Sequence, residues 1–182
     1  MKQGSPPKHL DVAAFALSGG AIAGQNPLSA YPRLVLETQG LGVDHALNWS
    51  ARGEVRNEAG GAGQVWLHLK VEVSLPLTCQ RCLTPADIPI VFDRSYRFVG
   101  SEEEAEAQDA EAQEDVLVLG AEFSLPELIE DEVLMALPLI ARHDSCPVPV
   151  KLAVADPGFD AALDQKRKPF SVLAQLKKGA AD

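Results

Sequence analysis

The chain has 182 residues, of which 46% are hydrophobic, and a formal net charge of -10. This length is enough for one core that buries roughly two-thirds of the unfolded chain's surface, and it predicts a single domain over residues 1–182. The negative charge argues against a protein that coats itself in nucleic acid through phosphate contacts. Asp11 and the Gly19-Gly20 pair interrupt the only apolar stretch near the start, so no signal peptide or membrane span is predicted and we expect a cytoplasmic protein.

The first half of the chain predicts antiparallel strands joined as a meander. The clearest strand has apolar residues at every odd position from 65 to 77 and mainly polar ones between them, the pattern of a strand with one buried face. An earlier strand alternates over residues 47–55, and the glycine-rich segment 58–63 predicts a hairpin between the two. A third strand is predicted over residues 88–98, with Arg94 interrupting its apolar series. Short apolar runs at residues 33–37 and 116–119 are interpreted as further strands.

An unusual acidic segment follows the third strand. Residues 101–115 include eight acidic side chains and no basic one, so the rest of the chain is nearly balanced in charge. Mutual repulsion and the lack of an apolar stripe predict a flexible, solvated loop. Such a loop either keeps the protein in solution or forms a docking surface for a basic partner.

A helix is predicted from about Ser124 to Leu137, packed against the sheet. Residues 124–127 have the form of a capping box, and apolar residues then recur at intervals of three and four. Pro138 ends the helix. The acidic residues 130–132 are interpreted as a solvated helix face and not as a catalytic carboxylate cluster, because no partnering base stands out.

Two pairs of candidate ligands use every cysteine in the chain. Cys79 and Cys82 lie in the turn between the second and third strands of the meander, and His143 and Cys146 have the same spacing after the helix. This spacing allows a turn to present two soft ligands to one tetrahedral ion. Three cysteines in a reducing compartment do not form a complete disulfide framework. Two interpretations stay open, namely one structural zinc or reduced thiols that pack as small hydrophobes.

The same cysteines fit two classes of enzyme less well. A thiol oxidoreductase would use Cys79 and Cys82 as its redox pair, but that chemistry favours a helix N-terminus after the motif, and here a strand follows. A metal-dependent hydrolase needs an open coordination position, which four protein ligands would already fill. We therefore predict that the protein is not an enzyme, with a thiol oxidoreductase as the alternative.

The end of the chain, residues 151–182, predicts an extended segment with a short helix. Its basic residues, together with one in the cysteine turn, are candidate contacts to RNA; they would otherwise complement the acidic segment or the end of the helix dipole. The candidate RNA contacts are Arg81, Lys166, Arg167, Lys168, Lys177 and Lys178.

Four blocks of residues, 77–83, 129–138, 143–146 and 168–177, carry a resemblance to a known family. Besides the candidate ligands, the matching positions are Gln80, Arg81, Glu130, Asp131, Glu132, Pro138, Pro169, Phe170 and Leu173. Each block alone is a weak signal. In this order they resemble the YceD family, the large ribosomal RNA subunit accumulation proteins. Several relatives have cysteine where this chain has His143.

The resemblance implies a bacterial, non-enzymatic ribosome biogenesis factor that supports synthesis, processing or accumulation of 23S ribosomal RNA. It implies a large-subunit ribosomal protein or a pre-50S particle as partner, with direct contact to ribosomal RNA left open and no membrane partner. The acidic charge favours contacts with protein. For the fold we expect an α+β domain with an antiparallel sheet, open or barrel-like, one packed helix and a short C-terminal helix.

Overall fold

The computed structural model describes residues 4–57, 63–120 and 123–150, together with Val154, Asp156 and Gly158. Contacts divide the chain into a unit Met1–Val148 and a second unit Pro149–Asp182. Every helix and strand of the described residues lies in the first unit. The predicted C-terminal helix and most of the hairpin at 58–63 lie outside the described residues. The single-domain count stays a prediction.

One mostly antiparallel sheet of five strands forms the centre of the first unit. The strands are β1 (Ala21–Pro27), β2 (Ala46–Arg56), β3 (Gln64–Thr78), β4 (Pro85–Val99) and β5 (Asp115–Val118). Neighbours pair in the order β1-β2-β3-β4-β5, antiparallel throughout except that β5 runs parallel to β4. Within the described residues β1 and β5 do not pair with each other, so the sheet is open and the barrel-like alternative is wrong. The predicted α+β class and meander are confirmed.

The core lies on the odd-numbered face of β3. Leu67, Leu69, Val71 and Leu75 are fully buried, as the period-two pattern predicted. The helices of the described residues are α1 (Val12–Leu17), α2 (Pro32–Glu37), α3 (Glu102–Asp109) and α4 (Leu125–Met135). None of them is both long and apolar enough to cross a membrane.

Helix α4 confirms the helix predicted at residues 124–137 and covers the core. Leu125, Ile129 and Val133 recur every four residues and are all fully buried, because that spacing places them on one helix face. The capping box predicted here is wrong: Ser124 is the N-cap residue, but its side chain makes no capping hydrogen bond.

Residues 33–37 form helix α2 and not the predicted strand. Pro32 occupies the first turn, where its fixed φ suits a helix. The backbone N–H groups of Arg33 and Leu34 donate to the carboxylate of Glu130 at 2.7 and 3.4 Å. This capping partner is supplied by α4, so the local sequence gave no sign of it.

The prediction of a loop for residues 101–115 is wrong for Glu102–Asp109, which form α3. Ser101 caps the helix by accepting a hydrogen bond from Glu104 N, and the Glu104 carboxylate accepts from Gly100 N in turn. Three acidic residues in the first turn also suit the positive end of the helix dipole. Local capping therefore outweighs charge repulsion, and the flexibility of the segment stays a prediction.

Candidate metal centre

The first pair of ligands lies in the tight turn between β3 and β4. Cys79 N donates to Thr84 O and Leu83 N donates to Cys79 O, both at 2.9 Å, so the turn closes on itself. Leu83 has a φ of 61°, a left-handed conformation that a leucine rarely adopts. This reversal lets Cys79 and Cys82 present their sulfurs on the same side of the turn.

The second pair lies in the segment that follows α4. Residues 139–148, all of which the structure describes, contain neither helix nor strand, and they are hydrogen-bonded to the turn between β3 and β4. Ala141 is buried and its carbonyl accepts from Gln80 N at 2.9 Å. The next ligand approaches the first pair through its backbone, since His143 N lies 3.5 Å from the Sγ atom of Cys79.

The fold brings the four candidate ligands together. One ligand atom each from Cys79, Cys82, His143 and Cys146 lies within 4.8 Å of the other three. Cys82 Sγ and His143 Nδ1 are 3.4 Å apart. Zinc bonds of about 2.0–2.3 Å in a tetrahedron place ligand atoms roughly 3.3–3.8 Å from one another. Small side-chain movements would therefore suffice to complete a tetrahedral site.

The surroundings of the cluster favour the thiolate form of the first pair. Burial opposes ionisation of Cys79, but backbone N–H groups of Cys82, His143 and Arg81 outweigh it and lower its pKa to about 5. A hydrogen bond with Thr84 lowers the pKa of Cys82. The neighbouring Cys79 sulfur raises the pKa of His143 through a hydrogen bond. Thiolates beside an imidazole are the donor set that zinc prefers, so these residues fit that ion.

A Cys₃His set leaves no ligand position open to a substrate. Structural zinc sites have four protein ligands, whereas catalytic zinc keeps one position for water or substrate. The arrangement can therefore join the turn at Cys79 and Cys82 to the segment after α4.

The acidic residues of the motif have structural partners. Glu130 and Glu132 are buried, so their interpretation as a solvated helix face is wrong. Glu130 Oε2 accepts from Arg33 Nε at 3.0 Å, and Glu132 accepts from Arg94. Asp131 is exposed, as predicted, and lies 2.5 Å from Arg33. A buried carboxylate persists where a cation offsets the cost of removing it from water.

Arg33 and Arg94 are the residues that sequence reasoning missed. Arg94 carried a signal, because a cation on the apolar face of a strand requires a buried acidic partner. Arg33 carried no such signal, since its apolar neighbours have the pattern of a strand.

Pro138, another motif position, is exposed two residues after the C-cap of α4. The motif positions Pro169, Phe170 and Leu173 and the bases Lys166, Arg167, Lys168, Lys177 and Lys178 lie outside the described residues.

The chain is similar to known proteins over much of its length. The family described as "Large ribosomal RNA subunit accumulation protein YceD" matches residues 67–177, which include the candidate metal centre and α4. A protein of that name from Haemophilus influenzae is 31% identical over 111 residues, covering 60% of this chain and 63% of the relative. No solved structure matches. The chain belongs to the YceD family of large ribosomal RNA subunit accumulation proteins.

Proposed function

We propose that this protein is a cytoplasmic ribosome biogenesis factor that supports the accumulation of 23S ribosomal RNA. The observation that carries this proposal is the family match over residues 67–177, which contains the four clustered ligands and the acidic residues of α4. The name of the Haemophilus influenzae relative supports it. Synthesis, processing and protection of the RNA are each compatible with accumulation.

The proposed role is not catalytic. The Cys₃His set would occupy all four positions of a tetrahedral ion, and the buried carboxylates of Glu130 and Glu132 are paired with arginines. Neither group is then available to activate water or a nucleophile. A protein of this kind acts by binding.

The proposed cofactor is one structural zinc held by Cys79, Cys82, His143 and Cys146. Zinc would join the turn between β3 and β4 to the segment after α4, which lacks helix or strand of its own. Structural zinc contributes directly to folding free energy. The ion would fix the shape of the surface that surrounds this junction.

The proposed partner is a large-subunit ribosomal protein or a pre-50S particle. The net charge of -10 disfavours broad contact with phosphates and favours a basic protein. Helix α3 supplies exposed acidic residues for such a contact. Direct contact with ribosomal RNA through Arg81 and the C-terminal bases is the other route.

Deletion of the gene in the bacterial host tests the function. We expect a lower ratio of 23S to 16S ribosomal RNA and fewer 50S particles in a sucrose gradient. The wild-type gene should restore both, and a Cys79→Ser/Cys82→Ser variant should restore neither. Normal ratios and normal gradients in the deletion strain would overturn the proposal.

Affinity purification tests the partner. Tagged protein should recover large-subunit proteins or precursor particles after RNase treatment if the contact is with protein. If RNase treatment abolishes the recovery of these partners, direct contact with ribosomal RNA is favoured instead. A variant with Glu102, Glu103 and Glu104 changed to Gln should recover less of a basic partner if α3 is the docking surface.

A thiol oxidoreductase is the second candidate function, favoured by the pKa of Cys79 near 5. A low pKa produces the thiolate that such enzymes use, but it also suits a metal ligand. Cys79 is fully buried, which hinders attack on an external disulfide. Reversible formation of a Cys79–Cys82 disulfide at a defined potential, in protein that holds no zinc, would support the oxidoreductase over the metal centre.

A further inference from the structure

The side chain of Arg81 contacts the segment that carries the second pair of ligands at three positions. Its Nε atom donates to Cys146 Sγ at 3.0 Å. One terminal nitrogen donates to the carbonyls of His143 and Asp144 at 3.0 and 3.2 Å. A guanidinium group can make these contacts together because its donors are rigidly arranged in one plane.

These contacts extend the bonds between the turn and the segment as far as Cys146. The bond from Gln80 N holds Ala141, and Cys79 Sγ accepts from His143 N. Cys146 is the candidate ligand furthest along the chain, and the Nε atom of Arg81 donates to its sulfur. Arg81 lies between Cys79 and Cys82, so it links the two halves of the ligand set directly.

Charge also makes Arg81 suitable for this position. Three thiolates, a neutral imidazole and a divalent ion have a net charge of about -1, which one guanidinium neutralises. Arg81 is a cation at every physiological pH, and its guanidinium lies against the sulfur of Cys146.

We propose that Arg81 is a positioning residue of the metal centre, which orients Cys146 and holds its segment against the turn between β3 and β4. This inference rests on the proposed zinc site and goes beyond it. Groups that bond to metal ligands orient them and tune their basicity, and removing such a group typically costs about 10- to 100-fold in metal affinity. It assigns Arg81 a role different from RNA contact.

The test compares Arg81→Ala, Arg81→Lys and Arg142→Ala in the full chain. Arg142 is an exposed cation in the same segment as His143, so its removal controls for charge. Competition with a chromophoric chelator should show zinc affinity lower by about 10- to 100-fold in Arg81→Ala. Arg81→Lys should recover part of the lost zinc affinity, because lysine keeps the charge but not the planar donors. Arg142→Ala should bind zinc as the wild type does.

Cobalt substitution separates positioning from a general loss of stability. Without a donor at Cys146, the sulfur becomes more electron-rich, so the sulfur-to-cobalt charge-transfer band should shift to lower energy in Arg81→Ala. A wild type that binds neither zinc nor cobalt overturns the zinc site and the inference with it. A wild type that binds both, with unchanged affinity and spectrum in Arg81→Ala, overturns the role of Arg81 alone.

Discussion

Two buried carboxylates on α4 connect that helix to distant parts of the chain. Glu130 bonds to the side chain of Arg33 and to backbone N–H groups at the start of α2. Glu132 pairs with Arg94 of β4. At the scale of single residues, these ion pairs explain why an acidic motif lies on a helix that is otherwise packed against the core.

Replacing Glu130 should destabilise the protein. Glu130→Gln removes the charge that offsets Arg33 and weakens the cap on α2, at an expected cost of about 2–3 kcal/mol in the free energy of unfolding. Urea denaturation followed by circular dichroism measures this change. Asp131→Asn is the matched control and should cost under about 1 kcal/mol, because its ion pair is exposed. Equal effects of the two variants would contradict a structural role for Glu130.

Local spacing was sufficient to select the four candidate ligands that the fold brings together, because the turn that pairs two residues over so short a distance is a local structure. The partners of the acidic residues could not be found in this way. Arg33 lies 97 residues from Glu130, and Arg94 lies 38 residues from Glu132. Such pairings depend on the tertiary fold, so the sequence alone predicts solvent exposure for two acidic side chains that the structure buries.

At the scale of elements, one buried arginine bonds the sheet to the end of α3 and to the loop that follows it. Arg97 of β4 donates to Glu114 at 2.6 Å and also to Gln108 at the end of the helix. These contacts hold a highly acidic helix near the sheet despite the repulsion among its side chains. The ion pair is therefore the part of this attachment that depends on pH.

As pH falls, the attachment of α3 to the sheet should weaken before the rest of the fold is affected. Arg97 lowers the pKa of Glu114 below its ordinary value of 4.5. The pair's stabilisation is therefore fully present above pH 4.5 and is lost as pH falls through the lower folded-state value. The protection of residues 102–109 against hydrogen exchange, taken relative to the intrinsic amide rate at each pH, should fall in that range. Glu114→Gln should exchange faster at neutral pH and lose most of this pH dependence; an unchanged acid response would contradict the assignment.

The buried face of α4 should contribute more to stability than its exposed end. Ile129→Ala removes a fully buried side chain and should cost about 2–5 kcal/mol in the free energy of unfolding. Met135→Ala is the control, since Met135 is 76% exposed and leaves no cavity. Denaturant titration of both variants gives the comparison, and similar costs would contradict the packing of α4 on the core.

Elements whose apolar residues recur at a regular interval could be predicted from the sequence. Elements that form only by pairing with another part of the chain could not. Strand β3 and helix α4 followed from their apolar patterns. Strand β1 was missed because its residues, which include alanine, glycine and proline, have low β-propensity. Its extended form depends on pairing with β2. The parallel direction of β5 likewise follows from the α3 connection and has no local signal.

At the scale of the whole molecule, removal of metal should lower thermal stability. A thousandfold excess of zinc over its dissociation constant would contribute about 4 kcal/mol. At roughly 2–4 °C per kcal/mol, a chelator should lower the melting temperature by about 10 °C. Scanning calorimetry with and without chelator measures the shift. Cys79→Ser/Cys82→Ser should melt at the lower temperature in both conditions, and a wild type unaffected by chelator would contradict the zinc site.

The distance along the chain between the two pairs of ligands has a topological consequence. Cys82 and His143 are 61 residues apart in sequence, and a metal between them would close a ring that contains β4, α3, β5 and the whole of α4. A covalent cross-link over a ring of that length reduces the entropy of the denatured chain by the equivalent of about 4 kcal/mol. A protease cut between α3 and β5 would leave two fragments joined by the ion as well as by the packing of α4 and the pairing of β5 with β4, so removal of the metal should lower the denaturant concentration at which they separate.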